Sequence, residues 1–125
     1  MAKNQRFEDL LAWQRARRLC ARVFEASARP PLSRSYALAN QIQRAAISVH
    51  SYIAGGFERS RPGEFHHFLS IAKGSCGEVR SQLYTARDVG LLTEEAFSVL
   101  IRDAEEVSRL IGALRIAVAL RLKPK

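Results

Sequence analysis

The sequence predicts an all-α protein, an antiparallel up-and-down four-helix bundle, and three observations predict it. Helical periodicity breaks strongly at only three places: Arg29-Pro30-Pro31, Gly55-Gly56 with Ser60-Arg61-Pro62-Gly63, and Gly90-Leu91-Leu92-Thr93. Each of the four segments between them carries one apolar stripe at helical spacing. No period-2 alternation is sustained, and no Asn-Gly or Asp-Gly hairpin turn occurs. The 125 residues suit one domain, and 47% hydrophobic content is enough to fill its core.

The first helix is expected over about residues 6–28, with Phe7, Leu10, Leu11, Trp13, Leu19, Val23 and Phe24 as its apolar positions. The second is expected over about 35–55. Leu38, Ile42, Ala45, Val49 and Ile53 repeat on one face, and Ser33 or Ser35 is placed to cap its start. The third, about 62–89, opens on Pro62, which a first helical turn tolerates because its N–H is unpaired anyway. Its stripe is Phe65, Phe68, Leu69, Ala72, Cys76, Val79, Leu83 and Ala86, and Gly90 is placed as its C-terminal cap. The fourth, about 93–122, has Thr93 as N-cap, and Glu94 and Glu95 complement the dipole of its first turn. Ala96, Leu100, Val107, Leu110, Ile111, Leu114, Val118 and Leu122 form its stripe. Short connections make consecutive helices antiparallel neighbours.

Several function classes lose support. No window approaches the ~20 apolar residues that span a bilayer, and the first residues do not read as a secretion signal, so a cytoplasmic protein without a membrane partner is expected. Cys20 and Cys76 lack a CxxC context and read as free thiols. His50, His66 and His67 lack metal-ligand spacing, and no catalytic constellation is present. No metal, no cofactor and no enzymatic activity are expected. Ala72-Lys73-Gly74-Ser75 lacks the earlier glycine of a phosphate loop and lies mid-helix.

Charge is the informative feature. Twenty basic and 12 acidic residues give a net charge of +8, and 16 of the basic residues are arginine. Residues 1–62 hold 11 basic and 4 acidic groups; residues 63–125 hold 9 and 8. Arg15, Arg18 and Arg22 share one face of the first helix, with Arg17 nearby. Arg115, Arg121, Lys123 and Lys125 form an acid-free cluster near the C-terminus, and an up-and-down bundle brings Lys3 and Arg6 to that same end. These groups suit phosphate-backbone contacts with RNA or DNA, or else make a solvated face with subunit salt bridges. On the second and third helices, Arg44 and Glu78 are expected to form an ion pair that sets register, unless Arg44 faces a ligand or a subunit contact. Trp13, Phe57, Phe97 and Ile101, candidates for an exposed face, exceed what one small core needs, and some of them are expected at subunit interfaces.

Several segments resemble the 23S rRNA-intervening-sequence proteins, a bacterial four-helix-bundle family. The opening Phe7-Glu8-Asp9-Leu10 with Trp13-Gln14 and Ala16 resembles its N-terminal signature. Tyr36-Ala37-Leu38 leading into residues 41–49 resembles its second-helix block. Phe65, Phe68, Leu69, Ile71-Ala72, Gly74-Ser75 and Glu78 resemble its third-helix block. The likeness spans about residues 7–115. It departs at Tyr52-Ile53-Ala54-Gly55-Gly56, where the family has Asn-Ile-Ala-Glu-Gly. The resemblance implies a ring-like homopentamer without enzymatic activity. A more distant likeness, to the accessory protein of diversity-generating retroelements, implies a nucleic acid or a protein partner such as a reverse transcriptase. The leading expectation is an oligomeric nucleic-acid-binding module; the alternative is a protein-interaction scaffold.

Overall fold

A computed structural model describes residues 5–122. Its four long helices are α1 (Leu11–Ser27), α2 (Tyr36–Glu58), α3 (Pro62–Asp88) and α4 (Glu94–Leu120). Each helix packs on its neighbours in the chain, and α1 closes the ring against α4. The connections are short, so the helices alternate in direction. The result is the expected antiparallel bundle, with no strand among the described residues. The α2–α3 turn lies at the same end as the start of α1 and the end of α4; the α1–α2 and α3–α4 connections lie at the other.

The first helix differs from expectation. A 3-10 turn at Phe7–Asp9 precedes α1, and Leu10, extended at ψ 124°, separates the two. The Asp9 carboxylate accepts the backbone N–H groups of Gln5 and Arg6, each at 3.2 Å. Gln14 Nε2 donates to the Glu8 carbonyl at 2.8 Å, and the Phe7 ring meets Trp13 edge-on at 5.1 Å. Local side-chain bonds to the backbone of this kind compete with helix continuation.

The second helix runs past its expected end at residue 55, through Gly55-Gly56 to Glu58. The glycines serve a close approach rather than a turn. A Cβ built on Gly56 would lie 2.6 Å from Phe68 Cβ and 3.1 Å from the Phe65 ring. The turn itself is placed at Ser60, the one non-glycine residue with positive φ (63°) among those described. Ser35 occupies the N-cap of α2 without a side-chain cap bond.

At the opposite end the local signals act as read. Gly90 takes φ +79° beyond α3, and Leu91 N–H returns to the Ala86 carbonyl at 2.7 Å. Thr93 Oγ1 accepts the Ala96 N–H at 3.1 Å.

All four stripes meet in one core, in which Leu19, Val49, Ile53, Leu69, Leu83 and Ile111 are almost wholly buried. The expectation that Phe97 and Ile101 face outward is corrected. They are 6% and 8% exposed, because the buried face of α4 is wide enough to include both. Phe97 packs on Tyr84 at 5.1 Å. Trp13 and Phe57 are half-buried against the core.

These contacts separate two glycines that look alike in sequence. Gly56→Ala should destabilise the fold by about 1–3 kcal/mol through overpacking. Gly74, with nothing within 4 Å of a built Cβ, should instead gain about 0.5–1 kcal/mol as alanine. Urea denaturation of both variants checks the contrast, and shifts of the same sign would contradict it.

Candidate nucleic-acid interface

The arginines of α1 lie where helical spacing puts them, but two face carboxylates. Arg15 Nη1 is 3.2 Å from Glu106 Oε1, and Arg22 pairs with Asp103. Both acids come from α4, so these pairs lie along the α1–α4 seam. They are partly solvated and contribute at most about 1 kcal/mol each. Their larger effect is to neutralise two of the three cations on this face. Arg18 stays exposed and joins none of the ion pairs.

Arg17 turns toward α2, with its guanidinium 5.5 Å from the Trp13 ring centroid. Burial, and after it the Arg17 charge, hold the His50 imidazole below its ordinary pKa of 6.5. Arg121 forms the C-cap of α4 and is exposed. Lys3, Lys123 and Lys125 lie outside the described residues.

The expected Arg44–Glu78 pair is not formed. Arg44 Nε donates instead to Asn40 Oδ1 at 3.2 Å, one turn away on its own helix. Both Arg44 and Glu78 are exposed, and a nearby acceptor on the same helix is reached at less cost in side-chain freedom than one across a seam. The bond that ties α2 to a neighbour is Gln43 Nε2 to Ser27 Oγ, at 2.8 Å.

Besides Arg87, which pairs with Asp88 at 3.0 Å and reaches Glu94 of α4 at 4.0 Å, a second set of cations lines the α3–α4 seam, and of these only Arg115 was singled out from sequence. Its Nε donates to Ser70 Oγ at 3.2 Å. Lys73 Nζ reaches the Ser108 carbonyl at 3.3 Å and the Ser108 hydroxyl at 3.0 Å. Arg80 Nε is shielded from solvent and has no acceptor. The signal for this set was the seven-residue interval from Lys73 to Arg80, which returns to the same side of a helix.

A cavity of about 530 Å³ opens beside the α1–α2 and α3–α4 connections, walled by Pro30, Pro31, Leu92 and Leu100 with Arg29 and Glu25 also lining it. The Cys76 thiol lies in the core and donates to the Ala104 carbonyl at 3.2 Å; burial pushes its pKa up to about 11. Burial raises that of Cys20 as well. No helix is long and apolar enough to cross a membrane, and no group of three His, Cys, Asp or Glu side chains is placed to hold a metal among the described residues.

The family model for 23S rRNA-intervening sequence proteins matches residues 8–113. The chain belongs to that family. Its fold also resembles that of a protein of unknown function from the S23 ribosomal protein family of Bacteroides thetaiotaomicron. The TM-score is 0.77 at 16% sequence identity, covering 84% of this chain and 98% of that one. No curated protein matches the chain.

Within this 23S rRNA-intervening sequence protein, several residues that carried the resemblance act as internal fasteners. Asp9 caps the 3-10 turn, Phe7 and Gln14 tie that turn to α1, and Gln43 ties α2 to Ser27. At the departures, Tyr52 meets the Phe68 ring edge at 5.8 Å, while Gly55 lies beside the same ring.

The lowered His50 pKa has a signed consequence. The unfolded chain takes up the proton more readily, so this group's stabilising contribution is present above pH 6.5 and is lost as pH falls toward the folded-state value. His50→Gln should flatten the fall in stability below about pH 6.5. Urea midpoints measured across that range test this; identical pH profiles for variant and wild type would assign the acid sensitivity to other groups.

Proposed function

We propose that this chain is a non-enzymatic, cytoplasmic, oligomeric module that binds the phosphate backbone of RNA or DNA largely without sequence readout. The observation that carries this reading is a basic excess that the fold leaves unneutralised. Arg17, Arg18, Arg102, Arg109 and Arg115 take part in none of the ion pairs among the described residues. Such a surface attracts polyanions over long range, and arginine matches phosphate oxygens in bidentate geometry. The family's name, 23S rRNA-intervening sequence protein, is compatible with an RNA partner.

A second reading, a scaffold for other subunits or for a partner such as a reverse transcriptase, is favoured by one feature. Ile116 and Leu120 on α4 are 67% and 60% exposed. Adjacent apolar side chains left in water suit a protein interface. Assembly into a homopentamer is part of the proposal, and this strip replaces Phe97 and Ile101 as its candidate contact. Light scattering at micromolar concentration tests it; a monomer would contradict it.

Binding should weaken steeply with salt. Each phosphate neutralised contributes about −0.7 (single strand) to −0.9 (duplex) to the slope of log K against log salt concentration, so four contacts give a slope near −3. Fluorescence anisotropy with a labelled RNA measures this, and the absence of binding even at low salt would end the proposal. Asp103→Asn with Glu106→Gln should release Arg22 and Arg15 and tighten binding, with a stability cost of at most about 1 kcal/mol per pair.

A further inference from the structure

Helix α4 presents opposite chemistry on its two flanks. Toward α1 it offers Asp103 and Glu106, which hold Arg22 and Arg15. Toward α3 its middle offers Ser108 and Gly112 beside Lys73, and helical spacing puts Arg80 on the same face of α3; its acid Glu94 is taken by Arg87 at the far end of the seam. Of the four cations along the α3–α4 seam, Arg87 pairs with Asp88 at 3.0 Å and Glu94 at 4.0 Å, while Lys73, Arg80 and Arg115 lack a carboxylate. Lys73 rests on Ser108, Arg115 rests on Ser70, and Arg80 Nε has no acceptor while being closed off from water. None of them lies within ion-pair distance of an acid among the described residues. Glu105 is the other acid on this flank of α4, and it too lies outside ion-pair reach of Lys73 and Arg80.

A partly desolvated cation without a counter-charge is unfavourable, and an anion from outside the chain would offset that cost. Lys73 and Arg80 are seven residues apart, or about 10.5 Å along the helix axis. Arg115 enters from α4 at the level of Ser70, one turn from Lys73. The cations thus divide into a Lys73–Arg115 group and a separate Arg80. Gly77, exposed and with nothing within 4 Å of a built Cβ, leaves the space between them uncovered.

We propose that the α3–α4 seam is a phosphate-binding groove, with one phosphate held by Lys73 and Arg115 and a second by Arg80. This rests on the nucleic-acid reading above and moves its principal contact from α1 to α3 and α4. Two phosphates along one strand would supply both groups. Free phosphate offers the same chemistry singly.

The test uses the full chain and two probes. Inorganic phosphate is titrated while the Arg80 Nε–H resonance is followed by NMR. A saturable shift that is lost in Arg80→Gln supports the groove, and no saturable shift overturns it. Separately, a labelled single-stranded RNA is bound to Lys73→Gln/Arg80→Gln and to a control of equal charge loss, Arg29→Gln/Arg34→Gln. The groove pair should weaken binding by about tenfold and make the salt slope shallower by about 1.4, from two lost phosphate contacts. The control should change it much less. Equal weakening by both pairs would show that overall charge acts, and would overturn the groove as the contact. Lys73→Arg should retain binding, and circular dichroism checks that each variant is folded. If wild-type protein binds no RNA, the nucleic-acid reading falls, and the phosphate titration still decides the groove. A phosphate shift with RNA binding insensitive to the groove pair would identify free phosphate as the ligand.

Discussion

Close approach of the helices is the constraint on which the rest of the structure depends. Every helix contributes a fully buried alanine to the core: Ala16 from α1, Ala46 from α2, Ala72 from α3 and Ala104 from α4. Cys76 adds another small side chain with no exposed area. Interaxial distance follows the size of the side chains at the contact, so small residues let the backbones draw together. Gly56 carries the same device to the α2–α3 end, where Phe65 and Phe68 close on its bare Cα. With the interior this narrow, long charged side chains are confined to the outer edges of the seams.

What happens at those edges depends on which partner each seam offers. Arg15 and Arg22 find carboxylates on α4, while Lys73, Arg80 and Arg115 find hydroxyls, a carbonyl or nothing. Formal charge alone would rank the first half of the chain as the more basic surface, since it holds 11 of the 20 cations and only 4 of the 12 acids. The fold alters that ranking by spending acids of α4 on arginines of α1. The nearly neutral second half thereby keeps unneutralised cations on one seam. Charge counted along a chain is a different quantity from charge presented on a surface.

The parts of this structure legible in the sequence are those set by local rules. Helical periodicity, the Gly90 cap and the Thr93 N-cap depend on residues a few positions apart, and each appears in the fold as read. The break at Leu10 was hidden because it results from bonds made by Asp9 and Gln14, side chains a helix would also accept. Phe97 and Ile101 were misplaced because a stripe of fixed width underestimates a helix packed against two neighbours. Arg44 was misassigned by the same kind of omission. Register across a seam allowed the bond to Glu78, but Asn40 was one turn away on the same helix and needed less ordering. The Lys73–Arg80 interval was visible, yet its meaning required knowing that α4 turns serine and glycine toward it.

Membership of the family accounts for the bundle more directly than for any binding surface. The motif residues Phe7, Asp9, Gln14 and Gln43 are engaged in holding the chain to itself, so their side chains are committed to contacts within the chain. Lys73, Arg80 and Arg115 belong to none of the motifs by which the sequence resembles the family. A fold shared at 16% identity carries a backbone arrangement, and function has to be argued from the side chains mounted on it. In this chain the proposed contacts lie away from the motif residues, at the seam where Lys73, Arg80 and Arg115 are partly shielded from water without a carboxylate to meet them.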